Sequence, residues 1–299
     1  MRVSLHRKQK RQRAAEGPSA STQDQGGSAF TVTFGDRAEN EAGMQMIGAA
    51  ADRGVSVARL RHIASTLAGV DCTVVSLDRL LEGSAEKGNI PGAAVLVMRD
   101  GVNALLEDPG AQAALLAELQ SMPKDTTTLS YGKVRNKHAR HNNTMGDFRQ
   151  EPDIAKGKGT VVMLSDYPTM HKLRGIMSDM VEAPLVGELN HYFDASTCGI
   201  GFHGDLERKL VVGVRVGPGA NGMPLKFQWY KGGHPIGRTG LLKLNAGDMY
   251  IMSEKAVGFD WKKKKILTLR HAAGKDTCKY SCVKRKHGEE APAEVTLFE

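Results

Sequence analysis

The stretch Cys198-Gly199-Ile200-Gly201-Phe202-His203-Gly204-Asp205 decides how this chain is read. Side chains on a strand alternate with period two, so a histidine and an aspartate two residues apart project to the same side. His203 and Asp205 can then offer an imidazole nitrogen and a carboxylate oxygen to one metal ion. With a third ligand from a distant strand, and positions left open, such a pair makes the facial triad of non-haem Fe(II) sites. The motif is short and occurs by chance in surface loops, so its surroundings carry the argument.

Working outward, the chain from Leu189 reads as short apolar strands separated by glycine-rich turns: Gly217-Pro218-Gly219, Asn221-Gly222, Gly232-Gly233 and Gly237. Short strands punctuated in this way suggest a sandwich or barrel. Upstream, Thr160 to Leu164 reads as a strand. Met170 to Val181 reads as a helix with Leu173, Ile176, Met177 and Met180 on its apolar face.

Several motifs resemble, in order, the AlkB family of Fe(II)/2-oxoglutarate dioxygenases. Tyr131-Gly132-Lys133, Arg140 and Gly146-Asp147 resemble the family's substrate lid, and Pro168, Leu173 and Ile176 the helix before its core. Asn190-x-Tyr192 is similar to its N-x-Y, and Gly199 to Asp205 to its H-x-D strand. Val214 to Gly217, Phe227-Gln228-Trp229 and Gly247-Asp248 follow in register. Leu267-Thr268-Leu269-Arg270 resembles the closing strand. The resemblance runs over roughly residues 129–274.

It implies an α+β fold whose core, residues 124–283, is a double-stranded β-helix, or jelly roll. It also implies Fe(II), 2-oxoglutarate as cosubstrate and O2, with DNA or RNA as partner. His203 and Asp205 would be catalytic metal ligands. Asn190, Tyr192, Lys264, Thr268 and Arg270 would bind the cosubstrate. Tyr131, Lys133, Arg135, Lys137 and Arg140 would contact the substrate. A family member carries a second histidine after the Gly247-Asp248 strand, and residues 252–261 contain none. Asp260 falls nearest that position and is the favoured third ligand. His271 is set aside because alternation turns it away from any pocket that Arg270 enters, and His234 because it sits in a Gly-Gly-His-Pro turn. The same chemistry on a protein side chain or small molecule, and an inactive nucleic-acid-binding module, are the alternative readings.

Before this core, residues 29–123 alternate strand-like and helix-like segments, which suggests a separate small α/β unit. Phe30 to Phe34, Cys72 to Leu77 and Ala93 to Met98 read as strands, and a short helix is expected around Met44 to Gly48. Residues 124–160 read as a long basic loop. Such loops are uncommon in compact domains unless they serve a function.

The 299 residues carry 41 Lys and Arg against 33 Asp and Glu, a net charge of +8, which favours polyanionic partners. Residues 1–28 are expected to form a disordered basic tail. The tail can be read as a nuclear-localisation signal, a nucleic-acid arm, a transit segment lacking an apolar face, or a plain solvated terminus. Residues 284–299 are expected to be a charged tail. Four scattered cysteines, Cys72, Cys198, Cys278 and Cys282, point to a reducing, intracellular compartment: nucleus, cytoplasm or organelle. Cys278, Cys282 and His287 have an unorthodox spacing for zinc and are read as ordinary side chains. No apolar run reaches the roughly 18 residues of a membrane span.

Overall fold

A computed structural model describes residues 27–88, 91–274 and 292–298. In chain order the first half contains β1 (Ala29–Gly35), β2 (Arg37–Glu39), β3 (Met46–Gly48), α1 (Val57–Thr66), β4 (Cys72–Ser76), β5 (Ala94–Met98), α2 (Gly101–Leu106), α3 (Ala111–Ser121), β6 (Thr127–Ser130), β7 (Lys133–Asn136), β8 (His141–Gly146) and β9 (Val161–Met163). The second half contains α4 (Pro168–Val181), β10 (Val186–Tyr192), β11 (Gly199–His203), β12 (Val212–Val216), β13 (Leu225–Lys231), β14 (His234–Leu242), β15 (Met249–Met252), α5 (Glu254–Val257), β16 (Thr268–Gly274) and β17 (Glu294–Phe298).

The fold is mixed and sheet-rich. An eight-stranded sheet has the order β4-β5-β15-β12-β1-β10-β8-β9, and a five-stranded sheet the order β11-β16-β13-β14-β17. Alternation explains the layering. On the large sheet Phe30, Val32 and Phe34 of β1 and Val212, Val214 and Val216 of β12 share one apolar cluster with Leu60 of α1, Leu115 of α3 and Leu173 of α4. Val95 and Val97 of β5 and Tyr250 and Met252 of β15 face the other way. They pack on Phe227 and Trp229 of β13, Leu242 of β14 and Leu269 of β16. The small sheet therefore lies against one face of the large sheet, and the helices cover the other. Local signals fix the helix starts. Ser56 Oγ accepts from the Arg59 N–H at the start of α1. Glu118 of α3 accepts from the N–H groups of Thr169 and Met170 at the start of α4.

Several expectations need correction. The boundary at residue 123 does not divide the sheets. β1 pairs with both β10 and β12, and β5 pairs with β15, so strands of the expected separate unit are interleaved with those of the core. Sequence order hides this, because such long-range pairing leaves no local mark. The segment around Met46–Gly48 is a strand paired with β2. The expected basic loop is largely a β6–β7 hairpin followed by β8 in the large sheet. The expected charged tail contains β17, which pairs in parallel with β14. Residues 1–26 of the basic tail, and Cys278, Cys282 and His287, lie outside the described residues.

A buried polar knot ties the hairpin to the sheet. The Asp125 carboxylate accepts from Asn40 Nδ2 at 2.6 Å, Thr160 N at 2.9 Å and Thr160 Oγ1 at 2.6 Å. Lys137 Nζ donates to the side-chain oxygens of Asn40 and Asn142. Asp125→Ala leaves three buried donors without their acceptor and should destabilise the fold by roughly 3 kcal/mol. Denaturant unfolding measures this, and a loss below about 0.5 kcal/mol would show that the knot contributes little.

His191 of β10 gives the fold an acid sensitivity. Its ring stacks on Phe30 with centroids 4.3 Å apart. Burial, then the nearby Lys124 and His141, push its pKa down to about 4. The unfolded chain therefore binds this proton first, and the histidine's contribution is complete above about pH 6.5 and is lost as pH falls toward 4. His191→Phe keeps the stacking and should flatten the change in unfolding midpoint between pH 7 and pH 5. An undiminished change would place the sensitivity elsewhere.

Candidate metal centre

β11 and β16 are antiparallel neighbours in the small sheet, with His203 directly opposite His271. Cross-strand partners project to the same face, so register alone puts the two imidazoles side by side. Their ring centroids are 4.5 Å apart. Asp205 follows just past the end of β11. Its Oδ1 lies 3.5 Å from His203 Nε2 and 3.4 Å from His271 Nε2. One potential ligand atom from each of the three residues lies within 4.8 Å of the others. Adjacent ligands held about 2.1 Å from one metal ion sit about 3 Å apart, so the cluster needs little adjustment to close on one.

The surrounding residues orient these ligands. His203 Nδ1 lies 2.7 Å from the Gly201 carbonyl, which can only accept, so Nδ1 carries the proton and Nε2 keeps its lone pair for the cluster. The Asp205 N–H donates to the Val257 carbonyl at 3.1 Å. Arg208 Nε lies 3.3 Å from Asp205 Oδ2, which leaves Oδ1 for the cluster, and its Nη2 binds Glu188 at 2.5 Å. Burial opposes the charge on Asp205, but Arg208 and the two histidines outweigh it and hold the carboxyl well below the usual carboxylate range. Burial, then His271, lowers His203 to about 4, so it is a neutral imidazole at pH 7. The residue between the ligands must be small. A Cβ on Gly204 would come 2.2 Å from the Gly258 carbonyl oxygen, where the chain after α5 crosses behind the ligand strand.

The three candidate ligands open into a cavity of about 70 Å³ between the sheets. Thr31, Thr33, Asn190, Tyr192, Arg215 and Tyr250 of the large sheet line it, with Arg140. Asn190 Oδ1 accepts from Arg140 Nε at 2.5 Å. Arg215 is fully buried. Its Nε lies 3.4 Å from Thr31 Oγ1, its Nη1 donates to the Met223 carbonyl, and its Nη2 has no partner. No ion pair of Arg215 occurs among the described residues. Three arginines and two carboxylates line this cavity, so the pocket is cationic even before a metal is added.

The expected site residues fall into two groups. His203, Asp205, Asn190, Tyr192 and Arg140 come together at this cavity. Asp260, Lys264, Thr268 and Arg270 do not line it. Asp260 is held by Lys255 Nζ at 2.7 Å, and the residue that stands beside His203 and Asp205 is His271. Alternation along β16 holds as expected, but the side facing the pocket is the one carrying His271. Arg270 projects from the opposite face, over the rings of Tyr230 and Trp261. Thr268 shares that outward parity, and Lys264 is exposed in the loop before the strand. Lys137, expected to contact phosphate, is buried in the polar knot. Tyr131, Lys133 and Arg135 stand exposed on the hairpin. Arg215, which the sequence marks only as one charge in the apolar Val-Arg-Val of a buried strand, joins the cavity lining.

No protein-family model matches the chain. It is 39% identical over 250 residues to "Uncharacterized protein R156" of Acanthamoeba polyphaga mimivirus, a match covering 83% of this chain and 96% of that protein. The chain belongs to the R156 family. The name ascribes no activity to the mimivirus relative, and the functional reading rests on the chemistry of the site.

Proposed function

We propose that this member of the R156 family is an Fe(II)/2-oxoglutarate-dependent dioxygenase built on a jelly-roll core. The observation that carries the reading is one cavity containing both the His203–Asp205–His271 donor set and the unpaired, buried Arg215. Two imidazoles and one carboxylate suit Fe(II) and leave coordination positions open. A guanidinium with no ion-pair partner, fully buried, calls for an anion. A dicarboxylate that chelates the metal at one end and meets Arg215 at the other satisfies both requirements. The strand order supports the jelly roll. From β10 to β16 the chain passes repeatedly between the large and small sheets, and β1 fills the eighth position, between β10 and β12.

When bound, iron and cosubstrate would supply O2 activation for oxidising a substrate C–H bond. The chain supplies the rest. Arg208 keeps Asp205 ionised and turned toward the cluster. The Gly201 carbonyl fixes the His203 tautomer. Arg215 selects a dianionic cosubstrate by its planar fork, replacing Arg270 in that role. Asn190 holds Arg140 at the entrance. Arg140 also lines a groove of about 620 Å³ along the β6–β7 hairpin, with Ser130, Tyr131 and His138. A substrate lying in that groove would reach the metal pocket past Arg140. Its cationic border favours methylated or otherwise modified nucleic acid as substrate.

The test is 2-oxoglutarate decarboxylation by Fe(II)-loaded protein, with and without methylated oligonucleotides. Turnover stimulated by the oligonucleotide supports the full reading. Turnover without that stimulation moves the substrate to a protein side chain or small molecule. Absence of iron binding overturns the enzyme.

A further inference from the structure

On the outer face of the small sheet, away from the metal cavity, Arg270 is held between two aromatic rings. Its guanidinium carbon lies 3.8 Å from the Tyr230 ring centroid and 4.9 Å from that of Trp261. Only 8% of the residue is exposed. Among the described residues its side chain makes no ion pair or hydrogen bond, and its Nε is buried without a partner. Stacking restrains the guanidinium plane, so little side-chain freedom remains to be lost when its fork meets an anion.

The loop that supplies Trp261 continues as Lys262, Lys263, Lys264 and Lys265, all exposed, and Lys262 Nζ lies 5.5 Å from the Trp261 ring centroid. On the other side of the loop Phe259 is 40% exposed, with Lys209 Nζ 5.4 Å from its ring centroid. Arg53, Lys209, Lys255 and Lys263 line a groove of about 720 Å³ beside it. Asp260, the acid in this loop, is already engaged by Lys255. Four consecutive exposed lysines concentrate positive charge on this loop and attract a polyanion.

We propose that this face is a docking site for a phosphodiester chain, single-stranded DNA or RNA, distinct from the metal cavity. Arg270 takes one phosphate through its fork, and Lys262 to Lys265 follow the neighbouring phosphates. Phe259 and Trp261 provide flat apolar surface of the kind on which bases rest. A phosphate chain fits better than an acidic peptide, because its planar bases can lie on the exposed rings beside the lysine run, which an acidic peptide would leave uncovered. The inference does not depend on the metal reading, and binding here requires neither iron nor turnover.

The experiment is fluorescence anisotropy of a labelled 20-nucleotide single strand with metal-free protein, across a salt series. Lys262→Gln, Lys263→Gln and Lys265→Gln together should lower the slope of log affinity against log salt by roughly 2 units. Arg270→Lys should weaken binding about tenfold or more, while Zn(II) binding at the His203 cluster persists. That readout separates a lost phosphate contact from damage transmitted to the adjacent His271. The exposed lysine variant carries the test alone if Arg270 variants fold poorly. No binding by the wild type would overturn the proposal. So would a slope unchanged in the triple variant, loss of binding only when Lys133 and Arg135 are neutralised, or equal affinity for a poly-glutamate chain.

Discussion

His271→Ala abolishes metal binding, whereas Asp260→Ala leaves it intact. That is the expected result of isothermal titration with Fe(II) under anaerobic conditions, or with Zn(II) as a redox-inert substitute. His271 presents Nε2 3.4 Å from Asp205 Oδ1, opposite His203, so its removal leaves a two-ligand site. Changing groups that only orient a ligand costs about 10–100-fold in affinity, and loss of the ligand itself should exceed that. Asp260 is bound by Lys255, and its loss removes a partly buried ion pair worth about 1 kcal/mol of stability. The reverse pattern, with iron lost in the Asp260 variant and kept in the His271 variant, would overturn both the assignment and the β11–β16 register.

Arg215→Met should raise the 2-oxoglutarate requirement by roughly 100-fold or more. Charge-assisted hydrogen bonds contribute about 1.5–3 kcal/mol each, and every 1.4 kcal/mol is about a factor of ten. The same substitution should leave the ligand-free protein as stable as the wild type, or more so. It removes a buried charge without an ion-pair partner and inserts an apolar chain of similar length. These opposite effects separate a binding arginine from a structural one. If Arg215→Met unfolds the protein, the arginine is held in place by the Met223 carbonyl and Thr31 for stability. If Arg270→Ala raises the cosubstrate requirement instead, the pocket has been assigned to the wrong face of β16.

The juxtaposition of His203 and Asp205, two of the three candidate ligands, was legible because H-x-D is a local pattern, and strand periodicity turns it directly into geometry. The same local physics marked β1, β4, β5 and α4, where the apolar pattern is strong. It also showed that Arg270 and His271 must face opposite ways. It did not show which of them faces the pocket.

That choice belongs to the tertiary structure. Periodicity fixes the relative orientation of neighbouring residues, and only the partner strand and the facing sheet fix which orientation is inward. β11 sets His271 opposite His203, and the large sheet closes over that side, so His271 faces the cavity and Arg270 the outside. Arg215 has the same origin. On the sequence it is one charge in an apolar strand, and it becomes a pocket cation because β12 lies beside β1, nearly two hundred residues away in the chain. Local pattern determined several of the strands, the α4 helix and the pairing of His203 with Asp205, but not β3, the β6–β7 hairpin or β17. The places of His271 in the cluster and of Arg215 in the cavity wall were decided by register and sheet order, long-range pairings that a local pattern does not encode.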